Sequence, residues 1–209
     1  MFLNALKQQA LQYPDQTALR GETTLWSWKQ YLEAVVNAAS LLHALGIRRL
    51  ALELDNSPEW AIIDLACISV GIVIVPIPPF FSETQKEWVR ASASIDAQIG
   101  GESMSGWHRH DFPFGKLQVR QLTAPTSLPV GTSKITFTSG TTGEPKRVPE
   151  SEGNVMDRAN TRYRSASDRT GETSCQPAAQ HSAREFVRNL YPIINGCRNS
   201  DITHGPDRL

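Results

Sequence analysis

The run Ile135-Thr-Phe-Thr-Ser-Gly-Thr-Thr-Gly-Glu-Pro-Lys146 has the residue types that hold a polyphosphate. A strand-like segment leads into a loop containing Thr138, Ser139, Gly140, Thr141, Thr142 and Gly143, and Lys146 closes it. Glycines let a backbone approach phosphate closely and expose its N–H groups. Hydroxyls donate to phosphate oxygens. A desolvated lysine adds a charge-assisted contact of roughly 1.5–3 kcal/mol. Pro145 fixes the backbone just before that lysine. The run is not a Walker A loop, which needs glycine immediately before the lysine and Ser or Thr after it. Pro145 and Arg147 occupy those places. The bland alternative, a solvent-exposed Gly/Thr turn between strands, fits a generic G-x-x-G better than this whole run.

Other reactive residue types are scattered. His108 and His110 flank Arg109 with no third metal ligand nearby, so a solvated loop is their expected setting. Cys67 falls on an apolar helical stripe and reads as core. Asp64 and Glu59 read as surface or capping acids, and Trp60 and Trp88 as residues packing helices on a sheet. No catalytic residue and no metal ligand is assigned.

These residues need a scaffold, and the spacing supplies one. The start reads as the first turns of a helix, without the basic region and cleavage site of a signal peptide. Thr17–Gly21 and Thr23–Trp26 read as short strands. Ser27 and Gln30 have capping-box spacing before a helix with Leu32, Val35, Val36, Ala39, Leu42 and Leu45 on one face, ended by Gly46. Leu50–Leu54 is a strand. Asn56-Ser-Pro-Glu59 starts a helix striped by Trp60, Ile63, Ala66 and Cys67 and stopped at Gly71. Ile72–Ile77, continuous and β-branched, suits a strand covered on both faces. Ser82 and Gln85 cap a helix to about Ala93, and Ala97–Ile99 is another strand. Residues 100–115 read as irregular, with Leu117–Leu122 and Lys134–Thr138 as further strands. The alternation implies an α/β fold, a parallel sheet with flanking helices and right-handed crossovers.

Composition bounds the partners. The 209 residues carry a net charge of +0, which argues against a nucleic-acid stripe. The apolar stretch Ala61–Pro79 is broken by Asp64, Gly71 and prolines, so no membrane span is expected. Cys67, Cys175 and Cys197 form an odd, sparse set that suits a reducing cytoplasm.

The segment TSGTTGEPK resembles the phosphate-binding signature of the AMP-forming adenylating enzymes, which include acyl-CoA synthetases, luciferases and peptide-synthetase adenylation domains. Tyr13–Leu19, Leu25–Ile47, Leu54–Trp60 and Gly71–Pro79 resemble that family's N-terminal elements, so the likeness covers about residues 1–156. Arg147 stands where glycine is commonest and is expected to be tolerated. The resemblance implies attack of a carboxylate, a fatty acid by analogy with acyl-CoA synthetases, on the α-phosphate of Mg-ATP. It also implies transfer of the acyl group to a thiol of coenzyme A or a carrier protein. Thr138 to Lys146 would hold the β- and γ-phosphates and orient the leaving group.

The family's later motifs for adenine, ribose and Mg-ATP, and its catalytic lysine, have no match, and Lys146 is the last lysine. The expectation is therefore a partial N-terminal AMP-binding domain over residues 1–156, without activity of its own. Residues 157–209 hold eight arginines and no lysine, and their periodicity fades. They are expected to be a disordered or poorly packed tail. One permitted back-translation, slipped by one base, gives an amphipathic helix, a Leu-Pro-Leu strand and another helix like the family's next segment. A frameshift near Met156 is the favoured explanation. A stand-alone phosphate- or ATP-binding module, and an interaction protein using the arginine-rich tail, are the alternatives.

Overall fold

The computed structural model describes residues 2–121, 126–138 and 145–154. The expected tail over 157–209 lies outside the described residues. The rest divides into two compact units, one holding residues 2–32 and the other Glu33–Glu152.

In the first unit, α1 (Phe2–Gln12) buries Phe2, Leu6 and Ala10, four apart on one face. Strands β1 (Thr17–Arg20) and β2 (Leu25–Ser27) pair antiparallel. The expected capping box forms at the start of α2 (Trp28–Ala44). Ser27 N–H donates to Gln30 Oε1 at 2.9 Å and Gln30 N–H donates to Ser27 Oγ at 3.2 Å. From Glu33 on, α2 belongs to the second unit, and its buried face is rotated from the expected one. Tyr31, Val35, Ala38, Ala39 and Leu42 are buried, while Val36 is 43% exposed. Small alanines let that face pack closely, and a count of large apolar residues overlooks them. Gly46 follows with φ +68°, the left-handed turn that glycine adopts without strain.

The second unit is built on a seven-stranded sheet. Its strands are β3 (Arg49–Glu53), β4 (Val73–Pro76), β5 (Ala97–Gly100), β6 (His108–His110), β7 (Leu117–Val119), β8 (Thr132–Thr138) and β9 (Lys146–Ser151), in the order β6-β7-β5-β3-β4-β8-β9. The centre is parallel as expected: β3 pairs with β4 and β5, and β4 with β8. Both flanks are antiparallel: β7 on β5, β6 on β7, and β9 on β8. The region expected to be irregular thus contains a strand, β6, and His108 and His110 lie on it rather than in a loop.

Helices α3 (Pro58–Ser69) and α4 (Glu83–Ser92) complete the unit. Ser57 caps α3, its Oγ accepting from Trp60 N at 3.2 Å, with Pro58 in the first turn. Every residue from Trp60 to Cys67 is buried, so α3 is covered all round rather than along a stripe. Ser82 and Gln85 form the expected capping box of α4. Alternate residues of β8 meet different helices: Lys134 reaches Asp64 of α3, and Phe137 meets Trp88 of α4 edge-on at 5.8 Å. With a strand period of two, α3 and α4 therefore cover opposite faces of the sheet. The core on the α4 side is Ala51, Val73, Val75, Ile77, Val89 and Ile135. Among the described residues, no helix is long and apolar enough to cross a membrane.

Candidate phosphate-binding hairpin

Thr138 is the last residue of β8 and Lys146 the first of β9, and the two are register partners. The loop residues Ser139, Gly140, Thr141, Thr142 and Gly143 lie outside the described residues. Their two anchors are described, so the segment connects the strands of an antiparallel hairpin. Both Thr138 and Lys146 are exposed, while Pro145 between loop and strand is buried.

β9, like β6, is a strand that spacing did not anticipate, and Pro149 lies within it. A proline cannot donate to a ladder and is tolerated on a sheet edge, which is where β9 lies. Lys146 thus starts a strand rather than ending a loop, which fixes its backbone opposite Thr138. Arg147 is exposed and its Nη1 donates to the Ser92 carbonyl at 3.1 Å, near the end of α4.

β8 runs parallel to β4, with Ile74 opposite Lys134. From that pair β4 continues two residues to Pro76 and β8 four residues to Thr138. The hairpin therefore projects past the end of β4, by roughly 7 Å at the usual rise of an extended strand. It leaves the carboxyl end of the parallel strands, where open α/β sheets bind ligands, and α3 and α4 depart from that end toward opposite faces. Thr138 and Lys146, both exposed and register partners, flank the glycine-rich connection. Among the described residues, no three His, Cys, Asp or Glu side chains gather as metal ligands.

Behind the hairpin lies a buried polar group that spacing missed. Asp64 is not the surface acid expected. It is 3% exposed, and its Oδ1 lies 2.8 Å from Lys134 Nζ. Lys134 Nζ also sits 5.0 Å from the Trp60 ring centroid. Glu150, the register partner of Lys134, is 5% exposed. Thr136 Oγ1 donates to Glu150 Oε1 at 2.9 Å. The available signal was a single acid inside the apolar run Trp60–Cys67. Cys67 is fully buried, as expected. Burial, helped by Asp64 and opposed by Lys134, pushes its thiol well above the ordinary range, so it is no nucleophile near neutral pH.

A match to the AMP-binding enzyme family spans residues 6–207. The chain belongs to the AMP-binding enzyme family. Within that family it is 27% identical over 172 residues to the crotonobetaine/carnitine–CoA ligase of Salmonella typhimurium (strain LT2), covering 65% of this chain and 33% of the ligase. The chain thus spans about a third of the length of such relatives. Among solved structures, the N-terminal subdomain of Klebsiella oxytoca NpsA with 3-hydroxyanthranilyl-AMSN superposes with a TM-score of 0.65 at 20% identity, covering 93% of this chain and 51% of that one. The Bacillus subtilis O-succinylbenzoate CoA synthetase with AMP gives a TM-score of 0.63 at 19% identity, covering 92% and 54%. At those identities the likeness is one of fold, and the fold is that of AMP-binding enzymes.

Proposed function

We propose that this chain carries the phosphate-holding part of an ATP-dependent, adenylate-forming acyl ligase. The observation that carries the reading is the β8–β9 hairpin, with Thr138 and Lys146 paired at the mouth of the TSGTTGEPK loop. The reaction of the whole enzyme is attack of a carboxylate on the α-phosphate of ATP, which gives an acyl-adenylate and pyrophosphate. A thiol, that of coenzyme A or a carrier protein, then takes the acyl group. The named CoA ligases among the relatives support that second step. For the acid we keep a fatty acid, on the resemblance to acyl-CoA synthetases, and for the setting the cytoplasm.

In this reading Thr138, Ser139, Gly140, Thr141, Thr142, Gly143 and Lys146 bind the β- and γ-phosphates. They orient pyrophosphate as leaving group and neutralise its charge. They supply neither base nor nucleophile. Magnesium, when bound with ATP, neutralises phosphate charge further, and no residue of this chain is assigned to hold it. Because the chain spans 33% of the Salmonella ligase, these residues by themselves do not complete the reaction. Carboxylate-dependent exchange of pyrophosphate into ATP tests this. None is expected from the purified chain, and exchange above that of a Lys146→Ala variant would overturn it.

A further inference from the structure

Side chains of a strand alternate between its two faces, and register partners on neighbouring strands share a face. From Lys134 to Thr138, β8 pairs with β9 without a shift in register. Lys134 Nζ lies 2.8 Å from Asp64 of α3, which sets Lys134, Thr136 and Thr138 on the α3 face. Phe137 meets Trp88 of α4 at 5.8 Å, which sets Ile135 and Phe137 on the α4 face. Their partners follow: Glu150, Val148 and Lys146 lie on the α3 face, Pro149 and Arg147 on the α4 face. A contact independent of the register agrees, because Arg147 Nη1 donates to the Ser92 carbonyl of α4 at 3.1 Å. Exposure on the α3 face rises toward the loop. Lys134 and Glu150 are buried, Thr136 is half-buried, and Val148, Thr138 and Lys146 are exposed. Arg147 is also directed away from the loop. Ser92 ends α4, and the carbonyl of the next residue, Ala93, accepts from Arg49 Nη1 at 2.8 Å. Arg49 starts β3, so α4 ends beside the amino ends of the parallel strands, while the loop leaves from their carboxyl ends.

We propose that a bound polyphosphate lies on the α3 face of the β8–β9 hairpin, against Thr138, Lys146 and Val148, and that Arg147 takes no part in holding it. This rests on the phosphate-binding reading of the hairpin and adds the side from which the ligand is held. Two adjacent cations of one strand therefore have different duties. Lys146 stands free on the open face and meets the ligand. Arg147 ties β9 to the end of α4. A helix C-terminus offers carbonyl oxygens and draws cations, and it gives a phosphate no donors. The same geometry explains why an arginine is accommodated where the family commonly has glycine. Its side chain leaves on the face that the ligand does not use.

The test titrates pyrophosphate into the full chain at about 0.15 M salt, where exposed charges more than about 8 Å apart are largely screened. Val148 is exposed and can carry a charge on the α3 face. Val148→Glu is expected to weaken binding about tenfold and Val148→Lys to strengthen it about threefold. Structural damage does not produce that reversal of sign. Lys146→Ala should weaken binding by about tenfold or more. Arg147→Ala should change it by less than about twofold. The same variant should speed exchange of the Ala93 and Ser94 amides, which bond back to Val89 and Ala91, by about threefold as the end of α4 loses its cation. A loss in Arg147→Ala as large as in Lys146→Ala would overturn the assignment, as would affinity indifferent to the sign of the charge at position 148. Unchanged exchange in Arg147→Ala would overturn the role given to Arg147. Absence of pyrophosphate binding by the wild type would strike the phosphate-binding reading itself, and the Ala93 and Ser94 amides would still decide where Arg147 is held.

Discussion

Glu53, at the end of β3, collects donors from two other elements. Lys86 Nζ lies 2.7 Å from it, Arg90 Nη2 3.5 Å, and Gln98 Nε2 3.0 Å. Lys86 also meets Glu83 at 2.8 Å. The hydrogen bonds that Lys86 donates to the Glu53 and Glu83 carboxylates raise its ammonium above the ordinary value of 10.5. The charged form is favoured in the folded chain, so this stabilisation is complete below pH 10.5 and is lost as pH rises through the higher folded value. Urea unfolding across pH 9–12 should show a smaller alkaline loss of stability in Lys86→Met than in the wild type. Equal losses in the two proteins would refute the assignment. At this scale the positions of Thr138 and Lys146 at the two ends of the loop were readable from one local motif. The buried pair was not. Asp64 finds its partner on β8, distant in sequence, and no local pattern marks an acid as paired.

Caps and stops carried most of what could be read about the elements. Ser27 with Gln30, Ser57 before Pro58, and Ser82 with Gln85 each satisfy helix N–H groups that would otherwise lack partners. Ser82→Ala should cost about 1 kcal/mol in thermal or urea unfolding, and a change within error would mean that Gln85 alone suffices. Gly100 ends β5 at φ +82°, and a Cβ there would come within 2.0 Å of the Glu53 carbonyl oxygen. Gly100→Ala should destabilise by about 1–3 kcal/mol from backbone strain alone, with the clash in addition. An unfolding midpoint unchanged from wild type would contradict that geometry. Strand direction at the sheet's flanks was not legible. A short segment such as His108–His110 marks neither its extended form nor its neighbour, and the antiparallel pairing of β6, β7 and β9 is decided by long-range register. β9 also carries Pro149, a residue that a sheet tolerates at an edge and that local pattern does not mark as strand.

For the whole molecule, the parallel centre of the sheet followed from strand and helix alternating at crossover spacing, while the family followed from the resemblance carried by TSGTTGEPK and the segments before it. The family match runs to residue 207, past the point near Met156 where the family's pattern fades to the eye. That extent weighs against a slipped reading frame, and the coding DNA decides it. An alternative frame staying open beyond residue 209 would favour the slip, and two closed frames would end it. Whether the hairpin holds a phosphate chain is decided by titrating the purified chain with pyrophosphate, beside Lys146→Ala. Lys146 is exposed, so its removal should leave the unfolding midpoint in place. Saturable binding by the wild type is expected, weakened in the variant by roughly 1.5–3 kcal/mol, the worth of one charge-assisted contact. Absence of binding, or binding that Lys146→Ala leaves unchanged, would contradict the phosphate-holding reading.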